Sequence, residues 1–255
     1  MNKKTIIAII IAAIVAICAL VGLSFAFLRA ALTPTTAEGE TAIASYQLSD
    51  IRALADNIDY NQYDLNTILD DNPAAGNLPE NVKGGPSAQV IIYEYADYQC
   101  SYCALMNPYI NKIVEDYDGK VAVVFRTYVL TYHQNGVAAA SAANAAAQQG
   151  YWAAYKDLLF ANQDDWFYSE GDTLIDQLET YFITVSKGQG DLAKFRADMA
   201  SDAVAQKVAF DLGAGSKMEI GGTPWFFIDG EWIENKNMTP AEYAQKLRSI
   251  IDAKL

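Results

Sequence analysis

Two cysteines separated by two residues, Cys100-Ser101-Tyr102-Cys103, are the part of this 255-residue sequence best suited to chemistry. A thiol attacks only as its thiolate, and a Cys-x-x-Cys pair in the right setting has a lowered first pKa. The flanking pattern supplies that setting. The run Val90 to Ala96 (VIIYEYA) is β-branched and aromatic and too short for a globular helix, so it reads as a central strand. Helical sequence follows from Cys100 to Tyr117. The first cysteine then falls at a helix N-terminus, where unpaired N–H groups and the helix dipole favour an anion. The pair is therefore suited to thiol–disulfide exchange, a reaction that requires no cofactor.

Three other uses compete for the same residues. A structural disulfide closing so short a loop would contribute only about 2 kcal/mol in the loop-entropy account. Zinc would need two more ligands, for which the chain offers His133 and carboxylates but no second close Cys or His pair. Copper(I) delivery calls for further soft ligands, and Met106 alone is weak support. No metal is assigned.

The elements that must position the pair can be read on both sides of it. Val121 to Tyr128 (VAVVFRTY) predicts a second strand after the turn residues Asp118-Gly119, giving a β-α-β unit with a parallel strand pair. Gly136 to Gln149 is nearly all alanine, which favours helix and allows close neighbours. Further helical patterns cover 151–161, 172–185, 192–199 and 202–214. Trp225–Ile228 and Glu231–Ile233 flank Asp229-Gly230 as a hairpin, and 241–255 closes the chain as a helix capped by Thr239 with Pro240 at its first position. The order is β-α-β, a helical insertion at about 134–215, then β-β-α: an α/β fold.

The N-terminal part has another character. Thr5 to Leu28 is 24 residues without a charge, about 36 Å as a helix against a hydrocarbon core of roughly 30 Å. Lys3 and Lys4 precede it and acids follow, which places the N-terminus in the cytoplasm and the bulk of the chain outside. The reading is a cytoplasmic stub and transmembrane signal-anchor over 1–29, with cleavage after Ala26 as the alternative, and Cys18 as a small apolar membrane residue. Residues 30–82 are expected to be a stalk carrying short helices, one capped by Ser49 and one over Leu65–Leu69, which either pack on the main domain or extend the stalk. The turn-rich stretch Asn72-Pro73 to Gly84-Gly85-Pro86 marks the boundary, with the catalytic domain over 83–255. Beyond the first thirty residues 15 basic side chains face 31 acidic ones, a balance that repels phosphate backbones and argues against nucleic-acid binding.

Three segments in this order, VIIYEYADYQCSYC, YWAAYKDLLFANQ and GGTPWFFIDG, resemble the membrane-anchored DsbA-like and BdbD-like branch of thioredoxin-fold oxidoreductases, over about Lys83 to Leu255. The resemblance implies a thioredoxin fold with the helical block as that branch's insertion. It implies that Cys100 forms the mixed disulfide with a client and that Cys103 resolves it. It makes Thr223-Pro224 a cis bond that brings a strand edge beside the cysteines, with Ser101, Tyr102, Thr223 and Pro224 as the active-site loop. The expected partners are exported proteins with reduced cysteines and a quinone-linked membrane reoxidase, DsbB-like or VKOR-like. The function expected is disulfide introduction outside the cytoplasm, with reduction or isomerisation at the same site, or a non-catalytic binding module, as alternatives.

Glu94 interrupts the strand face of Val90, Ile92 and Ala96. It reads either as an exposed strand acid or, as the resemblance implies, as a buried acid of raised pKa exchanging protons with Cys103. Asp97 reads as a helix cap or loop acid and His133, the only histidine, as structural. Ser101-Tyr102 stands where the Gram-negative type member has Pro-His, and Thr223 where it has Val. Tyr102 can offer a hydrogen bond but no positive charge, which leaves the potential between those of thioredoxin and DsbA, roughly −270 to −120 mV.

Overall fold

The computed structural model describes residues 46–85 and 87–255. The expected membrane segment, its cleavage site and the start of the stalk lie outside the described residues. Among the described residues no helix is long and apolar enough to cross a membrane.

In chain order the elements are helix α1 (Leu48–Asp56), strand β1 (Asn81–Gly84), strand β2 (Val90–Ala96), helix α2 (Ser101–Asp116) and strand β3 (Val121–Thr127). Six helices follow: α3 (Gly136–Ala147), α4 (Trp152–Ala161), α5 (Gln163–Trp166), α6 (Gly171–Ser186), α7 (Leu192–Met199) and α8 (Asp202–Lys217). Strands β4 (Trp225–Ile228) and β5 (Glu231–Ile233) and helix α9 (Pro240–Asp252) complete the chain. The strands form one mixed sheet in the order β1-β3-β2-β4-β5. Strand β2 runs parallel to β3 and antiparallel to β4, while β1 and β5 lie antiparallel at the two edges. A strand with neighbours on both sides and helices over both faces must be apolar nearly throughout, which is what VIIYEYA provides.

One sheet face, carrying Val90, Ile92, Val121, Val123 and Phe226, packs on Met106, Ile110 and Ile113 of α2 and Tyr243, Leu247 and Ile251 of α9. The other face, with Tyr93, Tyr95, Val124 and Phe227, packs on Phe210 and Ala214 of α8 and on Tyr60. The α8 backbone admits Tyr60 because position 213 is glycine: a Cβ there would sit 1.9 Å from the Tyr60 hydroxyl. The helical block has its own core around α3, buried at every residue from Gly136 to Ala146. A helix apolar all round is one enclosed by its neighbours, and alanine keeps them close.

The expected stalk ends sooner than 82. From Tyr46 the chain is packed on the folded body: Ile51 of α1 is fully buried in the helical core, and the Tyr60 hydroxyl donates to the Ala209 carbonyl at 3.2 Å. Residues 81–84 form the edge strand β1, paired with β3 through Asn81↔Phe125 to Gly84↔Ala122, so the expected boundary at 83 falls inside a strand. Helix α1 starts one residue before Ser49, with Gln47 at the cap position and its N–H donating to the Asp50 carboxylate at 2.8 Å. No helix forms over 65–69. The carbonyls of Leu65 and Thr67 instead accept from the buried Arg126 guanidinium at 2.6 and 3.0 Å, which satisfies part of a cation that burial would otherwise penalise. Arg126 also binds Glu80, which bonds Lys207, itself paired with Asp211, so four charged side chains neutralise one another behind the sheet.

Candidate active site

The cysteines lie where β2 gives way to α2. Cys100 occupies the cap position, with extended backbone, and its N–H donates to the Asp97 carbonyl at 3.0 Å. Ala104 N–H donates back to the Cys100 carbonyl at 3.1 Å, which starts the helix. Both side chains are free thiols; Cys100 is 8% exposed and Cys103 is fully buried. Among the described residues no group of three or more His, Cys, Asp or Glu is placed to hold a metal ion.

The loop before β4 completes the site. Because β4 pairs antiparallel with β2, with Trp225 opposite Tyr95, the residues preceding Trp225 arrive beside the end of β2 and the start of α2. The Thr223-Pro224 bond is cis, and the Thr223 carbonyl accepts from the Cys100 thiol at 3.4 Å. The Thr223 hydroxyl is buried and has no hydrogen-bond partner.

The two thiols are driven apart in acidity. A hydrogen bond from Cys103 holds the Cys100 thiol down at about 6; burial opposes it, and Thr223 and the N–H groups of Cys103 and Tyr102 add to the lowering. Burial pushes Cys103 well above the usual thiol range, and its bond to Cys100 and the Glu94 charge push the same way. At neutral pH the pair therefore holds one proton, on the inner sulfur.

Glu94 is a buried acid, 2% exposed, on the sheet face that carries Ile92, opposite Phe125 and Phe226. Burial raises its pKa to about 7 against the pull of Lys156. Lys156 of α4 is also buried, 5.6 Å from the Trp152 ring and donating to Asn107 at 2.6 Å. A lone lysine in a helical pattern reads as a solvent-facing residue, so nothing local in the sequence marks it as Glu94's counter-charge.

Ser101 is exposed and touches neither thiol through any recorded bond. The Tyr102 hydroxyl donates to the Met238 carbonyl at 2.8 Å, so what Tyr102 gives Cys100 is its backbone N–H and not its phenol. Asp97 does more than cap. Fully buried, its carboxylate accepts from Gln99 N–H at 2.9 Å and Leu130 N–H at 2.7 Å, and lies 2.7 Å from His133 Nδ1.

Residues 77–253 match the sequence profile of the thioredoxin family. Among solved structures, a thioredoxin-like oxidoreductase from Silicibacter pomeroyi is 25% identical, with a TM-score of 0.53 over 71% of this chain and 95% of that one. BdbD from Bacillus subtilis, at 20% identity and a TM-score of 0.56 over 69% and 92% of the two chains, shares the fold. So does alpha-DsbA2 from Wolbachia pipientis, at 16% identity and 0.55 over 82% and 98%. A curated relative, the Na(+)/H(+) antiporter NhaA 3 of Salinispora tropica, is 34% identical over 152 residues, 59% of this chain and 22% of the antiporter. The chain thus spans less than a quarter of that relative's length. On the matched profile and the shared fold, the chain belongs to the thioredoxin family.

Proposed function

We propose that this protein is an extracytoplasmic thiol:disulfide oxidoreductase that passes the Cys100–Cys103 disulfide to exported proteins with reduced cysteines. The observation that carries the reading is the split between the sulfurs: an outer thiol held low beside the cis-proline loop and an inner one pushed high by burial.

A client thiolate attacks Cys100 Sγ, the Cys100–Cys103 bond breaks, and Cys103 leaves with the electron pair. Its high proton affinity makes it a poor leaving group unless protonated, and Glu94, near half-protonated at pH 7, is the buried acid able to supply the proton. The client's second thiolate then attacks its own sulfur in the mixed disulfide and expels Cys100. That step is easy because Cys100, at about 6, leaves as a stable thiolate. The client loses two electrons and the cysteine pair gains them. Whatever stabilises the Cys100 thiolate stabilises the reduced enzyme and makes the disulfide more oxidising.

The tether is residues 5–28, with the catalytic domain outside, a reading supported by the lysines before that segment and the acids after it. A quinone-linked membrane reoxidase, DsbB-like or VKOR-like, would take the two electrons onward.

Thiolate absorbance titration and equilibration with glutathione test the chemistry, and labelling of Cys100 on intact cells with a membrane-impermeant maleimide tests the location. The expected results are a Cys100 midpoint near 6, a potential less negative than thioredoxin's of about −270 mV, and labelling without lysis. A potential below thioredoxin's would make the protein a reductase, and labelling only after lysis would place the site inside.

A further inference from the structure

The groups that hold Cys100 low most strongly are neutral: the Cys103 thiol, Thr223 and two backbone N–H groups. A charged group nevertheless sits next to this constellation. Asp97 is tied to the cysteines through its main chain, since its carbonyl accepts from Cys100 N–H at 3.0 Å. The same residue holds His133, with Nδ1 and Oδ2 2.7 Å apart. The loop that bears His133 is fastened to the active-site turn at two more points, Leu130 N–H to Asp97 at 2.7 Å and Asn135 N–H to Gln99 Oε1 at 2.8 Å. Tyr132 and Phe167 set their rings edge-on to the imidazole at 4.6 and 6.3 Å, and its side chain is only 9% exposed.

We propose that His133, locked beside the cysteine pair by Asp97, is the counter-charge of the Cys100 thiolate and a positioning residue that adds its own titration to the pH dependence of the enzyme's potential. The inference rests on the oxidoreductase reading but concerns a residue that thiol exchange does not itself require.

Two charged groups act on the imidazole, Asp97 and Cys100. Burial alone would lower its pKa, but the Asp97 hydrogen bond, the Asp97 charge and the Cys100 charge raise it above the ordinary histidine value. When Cys100 enters a disulfide its charge disappears, so the imidazole binds its proton less tightly. By linkage, a protonated imidazole favours the thiolate by the same factor. Reduction of the disulfide is therefore coupled to partial proton uptake at His133. When His133 deprotonates, the only cation in this group is lost, Asp97 keeps its two backbone N–H donors, and Cys100 loses part of its acidity.

His133 is the only histidine of the chain, so its ring resonances are unambiguous in the full-length protein without a histidine tag. The decisive experiment is an NMR titration of that ring in the oxidised and reduced states. A higher His133 pKa in the reduced state supports the coupling, and equal values overturn it. This readout needs no client, so it can succeed or fail independently of the oxidase reading. A second measurement separates charge from packing: His133→Gln, which can still bond Asp97, against His133→Lys, which keeps a cation. The expected shift of the Cys100 midpoint in His133→Gln is upward by roughly one pH unit, the low end for an opposite charge nearby, with His133→Lys close to the wild type. If the two variants shift the midpoint alike, or neither does, His133 is structural only.

Discussion

Glu94→Gln probes the buried acid, and the structure sets the size of its effect. Glu94 is fully enclosed between β3 and β4, and burial raises its pKa from 4.5 to about 7. The folded state thus binds its proton more tightly than the unfolded chain does, where glutamate titrates near 4.3. A raised acid contributes stability that is fully present below the unfolded pKa and is lost as pH rises through the folded value. At about 1.4 kcal/mol per unit, ionising Glu94 costs the native state about 3 kcal/mol by pH 8. Glutamine keeps the shape without the charge, so denaturant unfolding of the reduced full chain at pH 5 and pH 8 should show the two proteins diverging. The wild type loses up to about 3 kcal/mol relative to Glu94→Gln over that range. Lys156 reduces the difference, since removing Glu94 takes away one of the two anions, with Asp157, that favour its buried ammonium. The same variant should release Cys103 more slowly during client oxidation, by about 100-fold near pH 6, where the wild-type acid is protonated, and by less at pH 8. A stability difference that stays flat from pH 5 to pH 8 would refute the raised acid, and an unchanged pH profile of oxidation would remove Glu94 from the proton path.

The cysteines should divide their labour. Cys100→Ser should abolish exchange and form no adducts, whereas Cys103→Ser should leave an outer nucleophile that accumulates covalent client adducts on non-reducing gels; the opposite pattern would reverse the assignment. Behind the sheet, Arg126→Met strips two bonds from Glu80 and orphans the Leu65 and Thr67 carbonyls. Breaking one partner of such a buried ion cluster should cost about 3–5 kcal/mol and open residues 65–80 to limited proteolysis, and a loss below 1 kcal/mol would show that the cluster is not needed.

What the sequence determined by itself is the set of features written in local pattern. VIIYEYA declares a buried strand by its continuous apolar run, the alanine tract declares an enclosed helix, Asp229-Gly230 declares a hairpin, and Cys100-Ser101-Tyr102-Cys103 is placed at a strand-to-helix junction by the patterns on either side of it. These survive folding because hydrophobic period and turn geometry act over a few residues. The strand β1 was not legible, since four residues of mixed polarity carry no period, and its place in the sheet comes from pairing with β3. Leu65–Leu69 has helical sequence but forms turns, with its Leu65 and Thr67 carbonyls bonded to Arg126 from a distant strand.

The active site belongs mostly to tertiary structure. Which thiol is acidic depends on burial of Cys103, on its bond to Cys100 and on the Thr223 side chain, brought across 123 residues of chain by the antiparallel pairing of β4 with β2. Glu94 acquires a pKa near 7 only when the sheet and helices exclude water from it, and the charge of Lys156 acts on it from α4, where a lone lysine looks solvent-facing. Asp97 and His133 are ordinary residues until one loop is fastened to the other. A residue's type is local, but its pKa is a property of everything packed around it, and that is decided only when distant segments come together.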